Sequence, residues 1–194
     1  MGEELTKAIE NEQVTAGMDA KVRSRMLVEK YGWDSNDAKK IWSFGPENTG
    51  PNVLVDQTKG LAYLSEIQDS VVNAMQWVAQ EGVFIGEPLR GVRFNITDAK
   101  IIADRAHRGT GQVLPAARRS FFASEMTAVP RIQEPIYLVE VQAPRSVLGS
   151  IYKVIGGRRG KIFQEEEIPG HPLLTIRAYL PVAESFGFNA ELKS

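Results

Sequence analysis

Leu64, Ile67, Val71, Ala74, Met75 and Val78 recur at intervals of three and four, which places six apolar side chains along one face of a helix over residues 65–80, with Gly82 just past its end. A stripe of that length has to be covered by a second layer. The next patterned segment offers one: Val92, Phe94 and Ile96 alternate with Arg93, Asn95 and Thr97, the period-two signature of a strand with one buried face, extending to about residue 102. Helix and strand in direct succession predict an α+β fold. With 194 residues, 43% of them apolar, the chain can build one generous core or two small ones.

The flanking segments read less sharply. Residues 18–31 form an amphipathic helix stopped by Gly32, and residues 35–42 a short helix that Ser35 can cap. Residues 44–52 hold two prolines, two glycines and two asparagines and read as a loop, followed by a strand over 52–56. Beyond residue 102 come a polar loop, 104–112, and a helix, 114–126, whose Pro115 suits a first turn. From Pro135 the order is strand (136–142), helix (145–155), strand (161–167), strand (173–182) and a helix from about Ser185, the first five elements of a ferredoxin-like unit. The joint between the two units falls in the 130–135 stretch, giving domains over 1–131 and 132–194.

Composition narrows the function. There is no cysteine, so no disulfide framework and no thiolate zinc site, and only His107 and His171 could offer imidazole to a metal. A formal net charge of -1 excludes a generally basic nucleic-acid coat; RNA contact would have to come from a local patch. No apolar stretch approaches the roughly 20 residues of a membrane span, and no basic segment leads into an apolar one at the N-terminus. The expectation is a cytoplasmic protein without membrane association or metal.

One loop carries such a patch. In Asp104-Arg-Ala-His-Arg-Gly-Thr-Gly-Gln112 a histidine and an arginine precede two glycines, and Lys100, Arg105, Arg108, Arg118 and Arg119 face only Asp104 as an acid between residues 100 and 119. Phosphate contacts from such residues give salt-dependent, sequence-blind affinity. A solvated loop and helix face would have the same composition, and the residues alone leave both readings open. Other candidates fall away. Gly156-Gly-Arg-Arg-Gly-Lys161 is one residue short of a phosphate-binding loop and is followed by Ile162 where Ser or Thr would hold magnesium. Glu165, Glu166 and Glu167 sit on a strand, where neighbours point to opposite faces. His171 reads as an indifferent turn residue, Trp33, Trp42 and Trp77 as core, and no serine has an elbow motif or a local base.

The stretches Tyr31-Gly-Trp-Asp34, Ala38-Lys-Lys-Ile-Trp42, Phe44-Gly-Pro46, Gly50-Pro-Asn52, Ile67-Gln-Asp-Ser-Val-Val72, His107-Arg108, Gly111-Gln112, Ala117-Arg-Arg119 and Glu184-Ser-Phe-Gly-Phe188 together resemble the eukaryotic elongation factor 2 family. The bacterial elongation factor G and the archaeal factor are similar less closely. The resemblance implies most of a domain IV with a ribosomal-protein-S5-domain-2-like fold, followed by a ferredoxin-like domain V lacking its last strand. It implies no catalysis in this chain, GTP and magnesium being held by the parent factor's GTPase domain. His107 matches the histidine that the family converts to diphthamide and that bacterial toxins ADP-ribosylate. The tip around it, Asp104, Arg105, His107, Arg108, Gly109, Gly111 and Gln112, supported by Lys100, Arg118 and Arg119, would contact the ribosomal decoding centre, its rRNA, tRNA and mRNA, during translocation. In that scheme Asp104 orders the loop, and Gly109 and Gly111 permit its turn.

The chain departs from the family at the tip, with Ile102-Ala-Asp-Arg-Ala-His107 for His-Ala-Asp-Ala-Ile-His and Gly109-Thr-Gly111 for three glycines. Beside the family pattern it looks short at both ends, so an isolated chain is expected to be marginally stable or prone to associate. Two rivals stand beside this reading: the spliceosomal GTPase paralogue, acting as a ribonucleoprotein scaffold, and an RNA-processing enzyme using His107 as acid or base.

Overall fold

Residues 1–167, 170 and 172–193 are described by a computed structural model, and they form two units, Met1–Pro130 and Arg131–Ser194. His171 lies outside the described residues.

The first unit is organised about a short central strand. Strand β2, Asn52–Asp56, pairs antiparallel with β1, Ile41–Gly45, and parallel with β3, Arg93–Ile96. Parallel neighbours need a crossover, and the helix α4, Leu64–Gln80, supplies it. Because alternate side chains leave a strand on opposite faces, β2 serves two cores. Val53 and Val55 join Leu5, Ile9, Val14 and Leu27 from α1 (Glu3–Glu10), α2 (Ala20–Tyr31) and the turn between them; α3 (Ser35–Lys39) adds Ala38. Leu54 joins Ile67, Val71, Ala74, Met75 and Val78 of α4, with Phe94 of β3 and Phe121 of α5 (Thr110–Thr127). The predicted α4 stripe is the buried face.

Local chemistry sets the helix ends. Asp19 Oδ1 accepts from the Lys21 and Val22 amides at 2.9 and 3.2 Å, and Gly32 ends α2 in the left-handed region, φ 67°. At α3 the cap is Asp34, whose Oδ1 accepts from Asn36 and Asp37; Ser35, expected in that role, is the first helical residue. The helix also stops at Lys39, so Trp42 belongs to β1, and the residues up to Gly45, expected as loop, pair with β2. The reason lies at the turn. Gly50 packs so tightly on the preceding segment that a Cβ there would lie 2.2 Å from Pro46 Cδ and 2.3 Å from the Gly45 carbonyl oxygen, a tight reversal that brings 41–45 back along 52–56.

Asn52 holds this arrangement together. It is fully buried; its Nδ2 donates to the Gly45 and Leu89 carbonyls at 2.9 and 2.7 Å, and its Oδ1 accepts from the Val92 amide at 2.9 Å. One side chain thus joins the end of β1, the start of β2 and the approach to β3. β3 itself ends at Ile96, six residues short of expectation, since residues 97–104 carry no ladder partner.

In the second unit β4, Ile136–Pro144, β5, Lys161–Glu167, and β6, Leu173–Pro181, form an antiparallel sheet in the order β4-β6-β5. Ile176, Ala178 and Leu180 of the central strand pack with Val141 and Ala143 against Ile151 and Ile155 of α6, Leu148–Gly157, and Phe188 of α7, Phe188–Lys193. Arg158 closes the turn after α6, donating to the Glu184 and Phe186 carbonyls at 2.6 and 2.8 Å. Among the described residues no helix is long and apolar enough to cross a membrane.

Two measurements probe these packings. Asn52→Ala strips the side-chain partner from three backbone groups, that of Gly45 in the buried core and those of Leu89 and Val92 partly buried, and is expected to cost about 3 kcal/mol in denaturant unfolding. Glu125, buried on α5, accepts from the Val83 amide at 3.1 Å through Oε2 while Oε1 has no partner. Burial raises its pKa, and the Val83 bond offsets only part of that. The folded state therefore holds this proton to higher pH than the unfolded chain, so stability falls as pH rises from the ordinary carboxylate value through the raised one. Glu125→Gln keeps an acceptor for Val83 and is expected to remove that fall in melts between pH 4 and 7.

Candidate nucleic-acid interface

The loop between β3 and α5 ends in a single 3-10 turn, Arg105–His107, organised by Asp104. Asp104 Oδ1 accepts from the Ala106 amide at 3.0 Å, its carbonyl accepts from the His107 amide at 3.1 Å, and its Oδ2 meets His107 Nδ1 at 2.9 Å. An ionised carboxylate can only accept, so in this contact Nδ1–H donates to Asp104. The imidazole remains 52% exposed. A carboxylate–imidazole pair is the beginning of acid–base machinery, and it gives His107 the partner that the sequence did not reveal. Among the described residues no hydroxyl or second base is hydrogen-bonded to Nε2, and the pair with Asp104 fixes the orientation of the ring.

Helix α5 starts immediately afterwards, at Thr110, four residues ahead of the expected position, because Val113, Leu114, Ala117 and Phe121 pack against α4 from the first turn onward. Gly111 and Gln112 are therefore in the first helical turn and not in the loop, and Pro115 lies inside the helix. No side chain caps this N-terminus. The Gly109 carbonyl accepts from the Gln112 and Val113 amides at 3.0 and 3.1 Å, while the amides at the start of the helix have no carbonyl ahead of them. Gly109 and Gly111 are not required by the turn: neither has a positive φ, and a Cβ on either would meet nothing within 4 Å. Their small size leaves the helix start open to close approach.

The five cations of the segment separate. Lys100, Arg105 and Arg119 are exposed and make no ion pair among the described residues. Arg118 lies over the rings of Trp77 and Phe122, at 5.6 and 5.1 Å, and Trp77 is itself 54% exposed, unlike the core tryptophan expected there. Arg108 turns inward: its side chain is 8% exposed, it pairs with Glu66 at 3.1 Å, and its guanidinium sits 4.0 Å over the Tyr63 ring. Tyr63, Glu66 and Ser70, whose hydroxyl meets that of Thr110 at 3.2 Å, were not singled out from the sequence.

Elsewhere the glycine-rich basic segment runs from helix α6 into strand β5, the reverse of a phosphate-binding loop, and both arginines are engaged, Arg158 with the Glu184 and Phe186 carbonyls and Arg159 with Glu134 and Glu184. Nucleotide phosphate has no fitted site there. Among the described residues no group of His, Asp and Glu is arranged to hold a metal ion.

Residues 11–129 match the family model for elongation factor G, domain IV, and residues 131–194 match that for the elongation factor G C-terminus. The first match alone spans more than half of the chain. The chain belongs to the elongation factor G family. The boundary between the two matches falls where the two structural units meet, after Pro130, so the Asp104–His107 turn and the open start of α5 are features of an elongation factor G domain IV.

Since Gly111 lies in a helix with room for a side chain, Gly111→Ala is expected to raise the chain's stability by about 0.5–1 kcal/mol in thermal melts.

Proposed function

We propose that this chain is the ribosome-engaging part of a translocation factor of the eukaryotic elongation factor 2 type, with His107 at the tip that meets RNA in the decoding centre. The observation that carries this reading is the juxtaposition of an exposed, Asp104-oriented imidazole with an uncapped helix start bearing two glycines the fold does not need. Unpaired backbone N–H groups at a helix N-terminus favour phosphate, Lys100 and Arg105 add exposed charge, and none of these groups reads base identity. A factor that moves any message by one codon requires such sequence-blind contact. The S5-like and ferredoxin-like assignments of the two units belong to the same reading, as do diphthamide at His107, recognition by diphthamide-synthesis enzymes and ADP-ribosylating toxins, and work in the cytoplasm. The chain itself then catalyses nothing, and GTP and magnesium act in the parent factor's GTPase domain.

Ribosome co-sedimentation across a salt series tests the reading. Wild type is expected to bind with affinity that falls as salt rises; Arg105→Gln lowers the slope by about one, and His107→Ala weakens binding. Mass spectrometry of the His107 peptide from the native source is expected to show the diphthamide increment. Absence of ribosome binding, or recovery with splicing particles instead, overturns the proposal.

A further inference from the structure

The segment from Asp104 to Thr110 sends its side chains in two directions. Asp104, Arg105 and His107 are exposed, while Arg108 and Thr110 reach back to α4. We propose that Arg108 is a positioning residue that latches the His107 turn onto the first turn of α4 through Tyr63 and Glu66, and is not itself a contact to RNA. The inference rests on the His107 turn being the partner-facing end, and it reassigns an arginine whose sequence neighbours suggest phosphate binding.

An arginine that meets phosphate needs donors that water can reach. Here Nη2 forms an ion pair with Glu66 Oε2 at 3.1 Å, and Nε and Nη1 are buried without an acceptor. The guanidinium lies 4.0 Å from the Tyr63 ring centre, so those two donors are covered rather than presented. Leaving for a phosphate would break the Glu66 pair and the ring contact together. The site also needs arginine in particular, because only a planar guanidinium can stack on a ring and bond a carboxylate through its edge at once; a lysine ammonium can do one or the other.

The α4 side is built for the latch. Tyr63 precedes the helix with φ 63° and ψ 7°, a left-handed conformation that a tyrosine adopts only where its surroundings hold it. Its carbonyl accepts from the Glu66 amide at 3.1 Å, so ring and carboxylate are fixed to one turn of helix. Ser70, one turn further along, meets Thr110 at 3.2 Å. Arg108 and Thr110 thus pin the chain on either side of Gly109, two residues after His107.

The test uses Glu66→Gln, Arg108→Gln and their combination in the full 194-residue chain. Glu66 is half exposed, and its replacement leaves the core intact. In the chain alone, exchange of the Gln112 and Val113 amides, which bond to Gly109, is expected to rise about tenfold in either single variant and no further in the double, while amides of Met75 and Val78 stay unchanged. In wild type the Arg108 δ-protons should show an upfield ring-current shift that Tyr63→Leu abolishes. With ribosomes, Arg108→Gln is expected to weaken binding as Glu66→Gln does, with the salt slope of wild type. Additive effects of the two substitutions on exchange, absence of the ring-current shift, or a slope lowered by about one in Arg108→Gln alone would overturn the latch. If wild type fails to bind ribosomes, the functional reading fails while exchange and ring-current shift still decide the latch.

Discussion

A buried asparagine is the constraint on which the first unit depends. Asn52 has no exposure, and its amide is divided among Gly45, Leu89 and Val92, each at the end of a different segment of chain. An apolar residue at that place would leave three backbone groups without their side-chain partner, that of Gly45 in the buried core at a cost of about 1–3 kcal/mol. With the asparagine present, β1 can return along β2 and β3 can enter parallel on the other side. α4 then has to bridge β2 and β3 across the sheet, with its apolar stripe facing Leu54 and Phe94. The position of α4, and through it of everything α4 holds, follows from this junction.

What α4 holds is the other end of the unit. The Asp104–His107 turn has no buried residue of its own, and a segment with so few apolar contacts would fray if it were attached only through the chain. Packing of α5 on α4 brings the helix start to the right place; the Arg108 and Thr110 contacts then fix the last residues before it. The exposed chemistry can consequently be sparse. Three free cations and one oriented imidazole suffice on a surface whose net charge is close to zero, because the scaffold and not the loop carries the cost of order.

The parts of this arrangement that were legible in the sequence are those governed by periodicity or bounded by turn signals. The Leu64–Val78 stripe announces itself through a repeat of 3.6 and the 93–96 strand through a repeat of 2, while the 52–56 strand and the three strands of the second unit read as short runs between turn signals. β1 was hidden because glycine and proline composition marks a turn and does not say that the residues before it pair with those after it. α5 began early because tertiary packing overrode a glycine, Gly111, and a proline, Pro115, that weaken a helix locally. α1, with Leu5 and Ile9 in the core, was not identified at all. In the candidate site, the family motif pointed to His107 and its neighbours, yet composition cannot say which arginine of a basic run faces water. Arg105 and Arg108 are three residues apart and point to opposite fates, one exposed, the other stacked on a ring 45 positions earlier in the chain.

The glycines at the start of α5 complete the argument. A residue kept small where the fold offers space, at φ values any residue could adopt, gains nothing for stability; alanine at Gly111 would favour the helix. The same omission of side chains lets a phosphate or ribose come within hydrogen-bonding distance of the free amides at the helix start. In the proposed reading, local stability is given up where the backbone itself serves as the recognition element. Close by, just before α4, Tyr63 holds a left-handed conformation under Arg108. That pairing of a strained anchor with a bare helix end fits a contact surface that has to be rigidly placed, yet indifferent to the sequence it touches.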